Sequence, residues 1–516
     1  MRRRAALAAL LLALAPVAAG AQQGCQFVEG SGNLSTVDLG GGSITYVRTP
    51  NLSCRDGVRI RADSAVAFQS SNYVQLIGRV RFEDAERRLT AQSAEYFTTV
   101  GRLQAHTDAV LVQKTDSSVV RGDEMIYNRA GPERARAHLE VYGDRPVARL
   151  VMRPGADTAG VPLDTLTAPY DIEADRILIE GDDYFRARGR VEIVRQDLRA
   201  FADSVEYDQV AGTLRLYSHA RMVVNGRELS AQDIAATLVD GDLSEVEARR
   251  DAVLTSEDIR LRAPLVHVYF AAGAMERLVA VPLGPPVADP APPVAPSADL
   301  PPADPTLTEA DRARPVASAE AFTIEADSLD VLSPGEALDR IYASGNARAE
   351  SSARDSLNSS DTPPFARTDW MEGDTIVATF ERNAPVDSAA APQPDSALAA
   401  ASDSTGSEYR LERLSATGSA RSLYRMAAGD SARARGDRRP AIHYVTAQVI
   451  VLEMNQGEVR HMEVTGQTEG VHAAPSGVVR DTLAVPRPDS ARVDSVVVRG
   501  AVPSPPAAPR IRGRGR

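Results

Sequence analysis

The stretch Tyr73-Val-Gln-Leu-Ile-Gly-Arg-Val-Arg-Phe82 alternates apolar and polar side chains with a period of two, the mark of a half-buried strand. Val74, Leu76, Val80 and Phe82 share one face, with Gln75, Arg79 and Arg81 on the other; only Ile77 falls out of place. Gly78 stands in the middle of the apolar row. A strand-interior glycine packs no side chain and costs entropy, so it signals a bulge, a bend or the close approach of a neighbour.

The pattern recurs. A small residue, then usually an acidic or amide one, then a short alternating strand appears as ADSAVAF (62–68), AQSAEYF (91–97), GDEMIYN (122–128), ADRILIE (174–180), ADSVEYD (202–208) and AQDIAAT (231–237). It continues less regularly as APLVHVY (263–269), ADSLDVL (326–332), GDTIVAT (373–379) and AQVIVLE (447–453). The markers Asp63, Gln92, Asp123, Asp175, Asp203, Gln232 and Pro264 follow one another roughly thirty residues apart, with one longer interval around a Pro/Gly/Thr-rich insertion at 153–170. Between markers runs a second strand whose centre is Gly78, Gly189, Gly345, Gly418 or Gly466, and in other units Thr107 or Ser218. Turn residues such as Gln69-Ser-Ser-Asn72 and Glu180-Gly-Asp-Asp183 join the strands. Evenly spaced strands with short turns predict an all-β array of stacked antiparallel hairpins, none of which can bury its apolar face alone. Ser230 to Arg250 has helix-like Ala and Glu content, but its place in the repeat makes it strand.

The first residues, MRRRAALAALLLALAPVAAGA, combine an arginine cluster, a short apolar core and a small-residue cleavage site. They read as a secretory signal peptide over 1–21, too short in its apolar part to span a bilayer, which predicts export to the periplasm. Cys25 and Cys54 are the only cysteines, and an oxidising compartment predicts a disulfide between them. Neither has a second ligand at metal-site spacing, so no metal and no cofactor are expected. A net charge of -12 excludes the basic stripe that nucleic acid requires.

Composition places an N-terminal segment at 22–54, a first array at 55–281, a proline-rich linker at 282–318 and a second array at 319–474. Low-complexity insertions at 351–366 and 383–408 and the tail 475–516 are predicted to be disordered.

The export signal, the A-D-S opener and the h-x-h-x-G-x-h-x-h second strand together resemble the OstA-like, or lipopolysaccharide-transport protein A, family. ADSAVAF, AQSAEYF, GRVRF, GDEMIY and ADSVEY carry the resemblance over most of 55–281. It implies an open, V-shaped β-jellyroll that holds the acyl chains of lipopolysaccharide or a related acylated glycolipid between two apolar sheet faces. It also implies partners: the jellyroll domains of inner- and outer-membrane transport components, and an end-to-end homo-oligomer through open sheet edges. The groove candidates are Val74, Leu76, Gly78, Val80, Phe82, Gly189, Val191, Ile193, Leu214, Leu216, Met222 and Val224, with the glycines expected to keep the groove floor clear. These residues also suit a filled core, packed against the facing sheet, which corresponds to a structural repeat protein of the envelope without lipid cargo. An enzyme is not expected: the histidines are scattered, no HExxH, GxSxG or P-loop is present, and the recurrent Asp sits at a strand opening where it bonds local backbone.

Overall fold

The computed structural model describes residues 25–473, apart from 39–41, 55–56, 132–133, 152–168, 197, 240–241, 258, 285–307, 320–321, 359–361, 383–408, 427–439 and 456–457. The expected signal peptide at 1–21, the 383–408 insertion and the tail at 475–516 lie outside the described residues. Strands and short 3-10 turns make up the described elements, with no α-helix among them, so the all-β, jellyroll-like expectation stands. Two compact units are distinguished, 1–191 without 154–157, and 192–516 with 154–157.

In the first unit the strand Tyr73–Glu83 pairs with two short strands in succession. Its first half lies against Ser64–Phe68 and its last three residues against Arg59–Arg61. At the break the Tyr73–Glu83 strand carries a two-residue bulge, Gly78 (φ 76°) and Arg79 (φ 42°), opposite a register shift in its other neighbour, Arg87–Phe97. Such a bulge bends the strand and raises its twist. Gly78 and Arg79 together oppose the single residue Gln92, so the strand holds one residue more than its neighbour across the bend. Its own inward residues stay at even positions, while those of the neighbour change from Leu89 and Ala91 to Ala94 and Tyr96. Val74, Leu76, Val80 and Phe82 are all buried, whereas Ile77 is 46% exposed. Each such Leu or Phe contributes about 1.5–3 kcal/mol of burial.

The second unit repeats the device. Arg340–Ser351 pairs through Arg340–Ser344 with Ser328–Leu332 and through Arg348–Ser351 with Phe322–Glu325, and its bulge is Gly345 (φ 82°) and Asn346 (φ 44°). Where the sequence lacks glycine, the same left-handed pair is made by other residues: Thr107-Asp108 in the first unit, and Ser218-His219 and Arg250-Asp251 in the second.

Three expectations change. The segment before residue 55 is not separate from the array: Ser43–Arg48 pairs along Ser64–Phe68, and Cys25 pairs in register with Cys54, to which it is disulfide-bonded. The proline-rich run does not divide two arrays either. Arg260–Arg262 pairs with Val316–Ser318 and Arg277–Ala280 with Leu329–Leu332, while the Leu283 amide donates to the Asp311 carbonyl at 2.8 Å. The strands on either side of the run thus belong to one ladder inside the second unit. Lastly, the insertion at 351–366 is ordered over its described residues, with turns at Asp355–Leu357 and Pro364–Ala366.

Candidate functional site

The opener aspartate and the central glycine turn out to be two halves of one corner. Asp63 donates its amide to the Gly78 carbonyl at 2.8 Å and lays its side chain where a Gly78 Cβ would stand; that Cβ would lie 3.0 Å from the Asp63 Cβ. The bulge residue Arg79 then clasps the same carboxylate at 2.7 Å. The arrangement recurs with Asp175, Gly189 and Arg190, and with Asp327, Gly345 and Asn346. Arg79 and Arg190 hold the Asp63 and Asp175 carboxyls below the ordinary carboxylate range, chiefly by donating hydrogen bonds to them. Gly78 and Gly189 are half-buried beneath a solvated aspartate. The reading of them as a cleared groove floor is therefore corrected: the missing side chain makes room for the aspartate and permits the positive φ.

The apolar candidates form closed rows. Opposite Val74, Leu76, Val80 and Phe82 stand Tyr96, Ala94, Ala91 and Leu89, and Phe82 touches the rings of Tyr96 and Tyr127, both at 5.9 Å. Val191, Ile193, Leu214, Leu216 and Met222 are buried as well, and Val224 is half-buried. A polar cluster sits beside the first unit's rows. Arg87 donates to Gln113 (2.7 Å), to Asp182 (2.9 Å) and to the hydroxyl of Tyr127 (3.3 Å), which itself donates to Asp84 (3.0 Å). Burial pushes the Tyr127 phenol well above its usual range. The space left beside this cluster is about 50 Å³, too little for a ligand.

Open space lies instead in the second unit, where a cavity of about 660 Å³ falls in the range of ligand pockets. Its walls come from Phe322–Glu325, Arg340–Ser351, Asp369–Arg382, Tyr409–Met426 and Ala441–Asn455. Phe322, Leu338, Trp370, Met371, Phe380, Leu414, Leu423 and Leu452 give it an apolar interior. Charges at its wall are matched: Arg410 pairs with Glu381 at 2.8 Å, Arg348 with Glu350 at 2.6 Å, and the Arg348 guanidinium lies 5.1 Å over the Trp370 ring.

The 351–366 insertion completes the wall. Arg354 stacks 4.1 Å over the Tyr424 ring, approaches Asp369 at 3.8 Å and donates to the Arg425 carbonyl at 2.8 Å. Arg425, wholly buried, donates to Asp369 (2.8 Å), to Asn358 (2.6 Å) and to the Arg367 carbonyl (2.5 Å), which fastens the insertion to the strand. Burial raises the Tyr424 phenol above its ordinary value. None of these lining residues stood among the sequence candidates. The available signal was compositional: in a chain only 5% aromatic, the single tryptophan, Trp370, lies close in sequence to Phe380, Tyr409 and Tyr424.

No helix of the described residues is long and apolar enough to cross a membrane, and no group of three or more His, Cys, Asp or Glu side chains gathers among them as a metal centre would. No protein-family model and no curated protein sequence matches the chain. Among solved structures, 38% of this chain aligns with 83% of LptH, the LptA homologous periplasmic component of the conserved lipopolysaccharide transport device from Pseudomonas aeruginosa, at 10% identity and a TM-score of 0.11.

Proposed function

We propose that this chain is a periplasmic binding protein for an acylated glycolipid of the lipopolysaccharide class, acting in its passage between the inner and outer membranes, and that the acyl part is held in the second unit. The observation that carries the reading is the cavity of about 660 Å³ with its Phe, Trp, Met and Leu lining, against spaces of only about 50 and 30 Å³ beside Arg87 and beside Met222 and Val224. Each acyl methylene transferred there contributes about 0.8 kcal/mol, so one or two chains supply ample affinity without a specific polar contact. The first unit supplies a packed scaffold, and no catalytic role is assigned. The signal peptide and the family resemblance of the repeat support the same reading from the sequence side.

Trp370 is the only tryptophan and lines the cavity, so its emission reads occupancy directly. Titration of the mature protein with purified lipopolysaccharide below its aggregation threshold is expected to shift and saturate Trp370 emission. Leu411→Arg, which places a charge at a half-buried position of the lining, is expected to abolish the response with the fold intact. An unresponsive Trp370, together with no acylated lipid co-purifying from the native envelope by mass spectrometry, would reject the carrier and favour the envelope scaffold.

A further inference from the structure

Six of the seven histidines, all but His461, divide into two kinds. His106, His138, His219 and His267 each face a carboxylate, of Glu124, Glu180, Asp203 and Glu245 respectively. His443 and His472 face each other. They are direct partners in the pairing of Ala441–Asn455 with the edge strand Glu469–Ala473, and His472 Nδ1 lies 2.9 Å from His443 Nε2. The ring centroids are 4.2 Å apart at an interplanar angle of 46°, and one nitrogen of each ring lies within hydrogen-bonding distance of the other.

We propose that His443 and His472 form a two-imidazole binding site for a divalent copper ion, which clips the last strand to the sheet. Two metal–nitrogen bonds of about 2.05 Å at a right angle place their nitrogens about 2.9 Å apart, whereas a tetrahedral ion spreads them to about 3.3 Å. The 2.9 Å is the length of the hydrogen bond that joins the rings without an ion, and it is also the spacing that the tetragonal geometry of copper(II) requires, so the ion can replace the shared proton with little movement. Copper stands at the top of the affinity order for nitrogen ligands. Both ligands bind as neutral imidazoles. The proton shared between them moves to the outer ring nitrogen, so no redox step or co-reactant is needed. With no third side-chain ligand gathered among the described residues, water completes the coordination.

The position gives the ion a structural effect. Of Glu469–Ala473 only Gly470 is half-buried and the rest are exposed, so little besides its backbone ladder holds this strand to Ile442–Thr446. A bound ion joins the two strands through side chains at their shared position.

The test is titration of the full mature chain with copper(II) sulfate, followed by electron paramagnetic resonance and calorimetry, with hydrogen exchange read over 469–473. The wild type is expected to bind one equivalent with a tetragonal, nitrogen-coordinated signal and to slow exchange in that segment at least tenfold. His443→Ala and His472→Ala are each expected to weaken binding at least tenfold, and His461→Ala to leave it unchanged. Absence of a stoichiometric site in the wild type, an identical signal in the double alanine variant, or unchanged exchange at 469–473 on saturation each overturns the proposal. Trp370 and the cavity play no part in this assay, so its failure leaves the lipid reading untouched.

Discussion

Replacing Gly345 by Val tests the corner at its most demanding point. The residue sits at φ 82°, and a Cβ there would fall 2.7 Å from the Asp327 Cβ, so the aspartate must move. A β-branched residue held in the left-handed region costs about 1–3 kcal/mol. Displacing Asp327 also loosens its ion pair with Arg314 at 3.1 Å, a partly exposed interaction that adds up to about 1 kcal/mol. The sum, about 3 kcal/mol, corresponds to a fall of roughly 1 M or more in the urea midpoint for a typical m-value. Trp370 lies in the neighbouring strand, opposite Glu350, so its fluorescence follows unfolding of the second unit alone. The reciprocal change, Ser218→Gly, relieves a serine held at φ 61° and is expected to raise the midpoint by about 0.5–1 kcal/mol in stability. Gly345 does not line the cavity, so lipopolysaccharide binding per folded molecule is expected to stay the same. A Gly345→Val midpoint within about 0.2 M of wild type, or a loss of binding at undiminished stability, would refute the corner and restore the glycine to a groove.

Three further outcomes follow from the same structure. Arg425→Met leaves Asp369 without its buried partner and is expected to cost about 3–5 kcal/mol by urea denaturation, whereas Arg425→Met combined with Asp369→Leu recovers most of it; equal losses would mean the pair is not the organising contact. Cys25→Ser with Cys54→Ser opens a link of sequence separation 29 and is expected to cost about 3 kcal/mol, seen as faster exchange of amides over 25–68 with the Trp370 transition unmoved; an unchanged exchange pattern there counts against it. Because Asp63 and Asp175 have lowered pKa values in the folded state, their contribution is present above the ordinary value of 3.8 and is lost as pH falls below it. Asp63→Asn with Asp175→Asn should therefore flatten the acid limb of stability below pH 4, and an acid limb identical to wild type would show the corners carry no such linkage.

The strands were legible because burial on one face forces a period of two, and the apolar residues alternate on either side of each bulge. Val74 and Phe82 lie on opposite sides of the bend and still face the same interior. The two motifs of the repeat were legible too, but not their meeting. Asp63 and Gly78 are fifteen residues apart, and nothing in either pattern says that one side chain occupies the space the other leaves. The cavity was hidden for a different reason: alternation records which face is inward, not whether opposing side chains fill the space between, and that depends on summed volumes across the fold. Leu76 and Leu414 are equally inward by pattern, yet only Leu414 borders open space. Arg425 was illegible on charge alone, since a guanidinium in a strand reads as solvent-facing until its carboxylate and carbonyl partners are found.

The same corner is built in both units, so the bend cannot be what makes one interior full and the other hollow. Two differences remain. In the first unit Arg87, Gln113, Tyr127 and Asp182 satisfy one another and fill the space beside the apolar rows. In the second, the polar group, Arg425 with Asp369, points its hydrogen bonds at the insertion instead, using Asn358 and the Arg367 carbonyl. The insertion is thereby held at the wall rather than in the interior, with Arg354 flat on Tyr424, and the volume between the long strands stays empty. A buried polar cluster thus has opposite effects according to where its donors point. The 351–366 insertion, which composition marks as disordered, is the piece that completes the wall of the cavity.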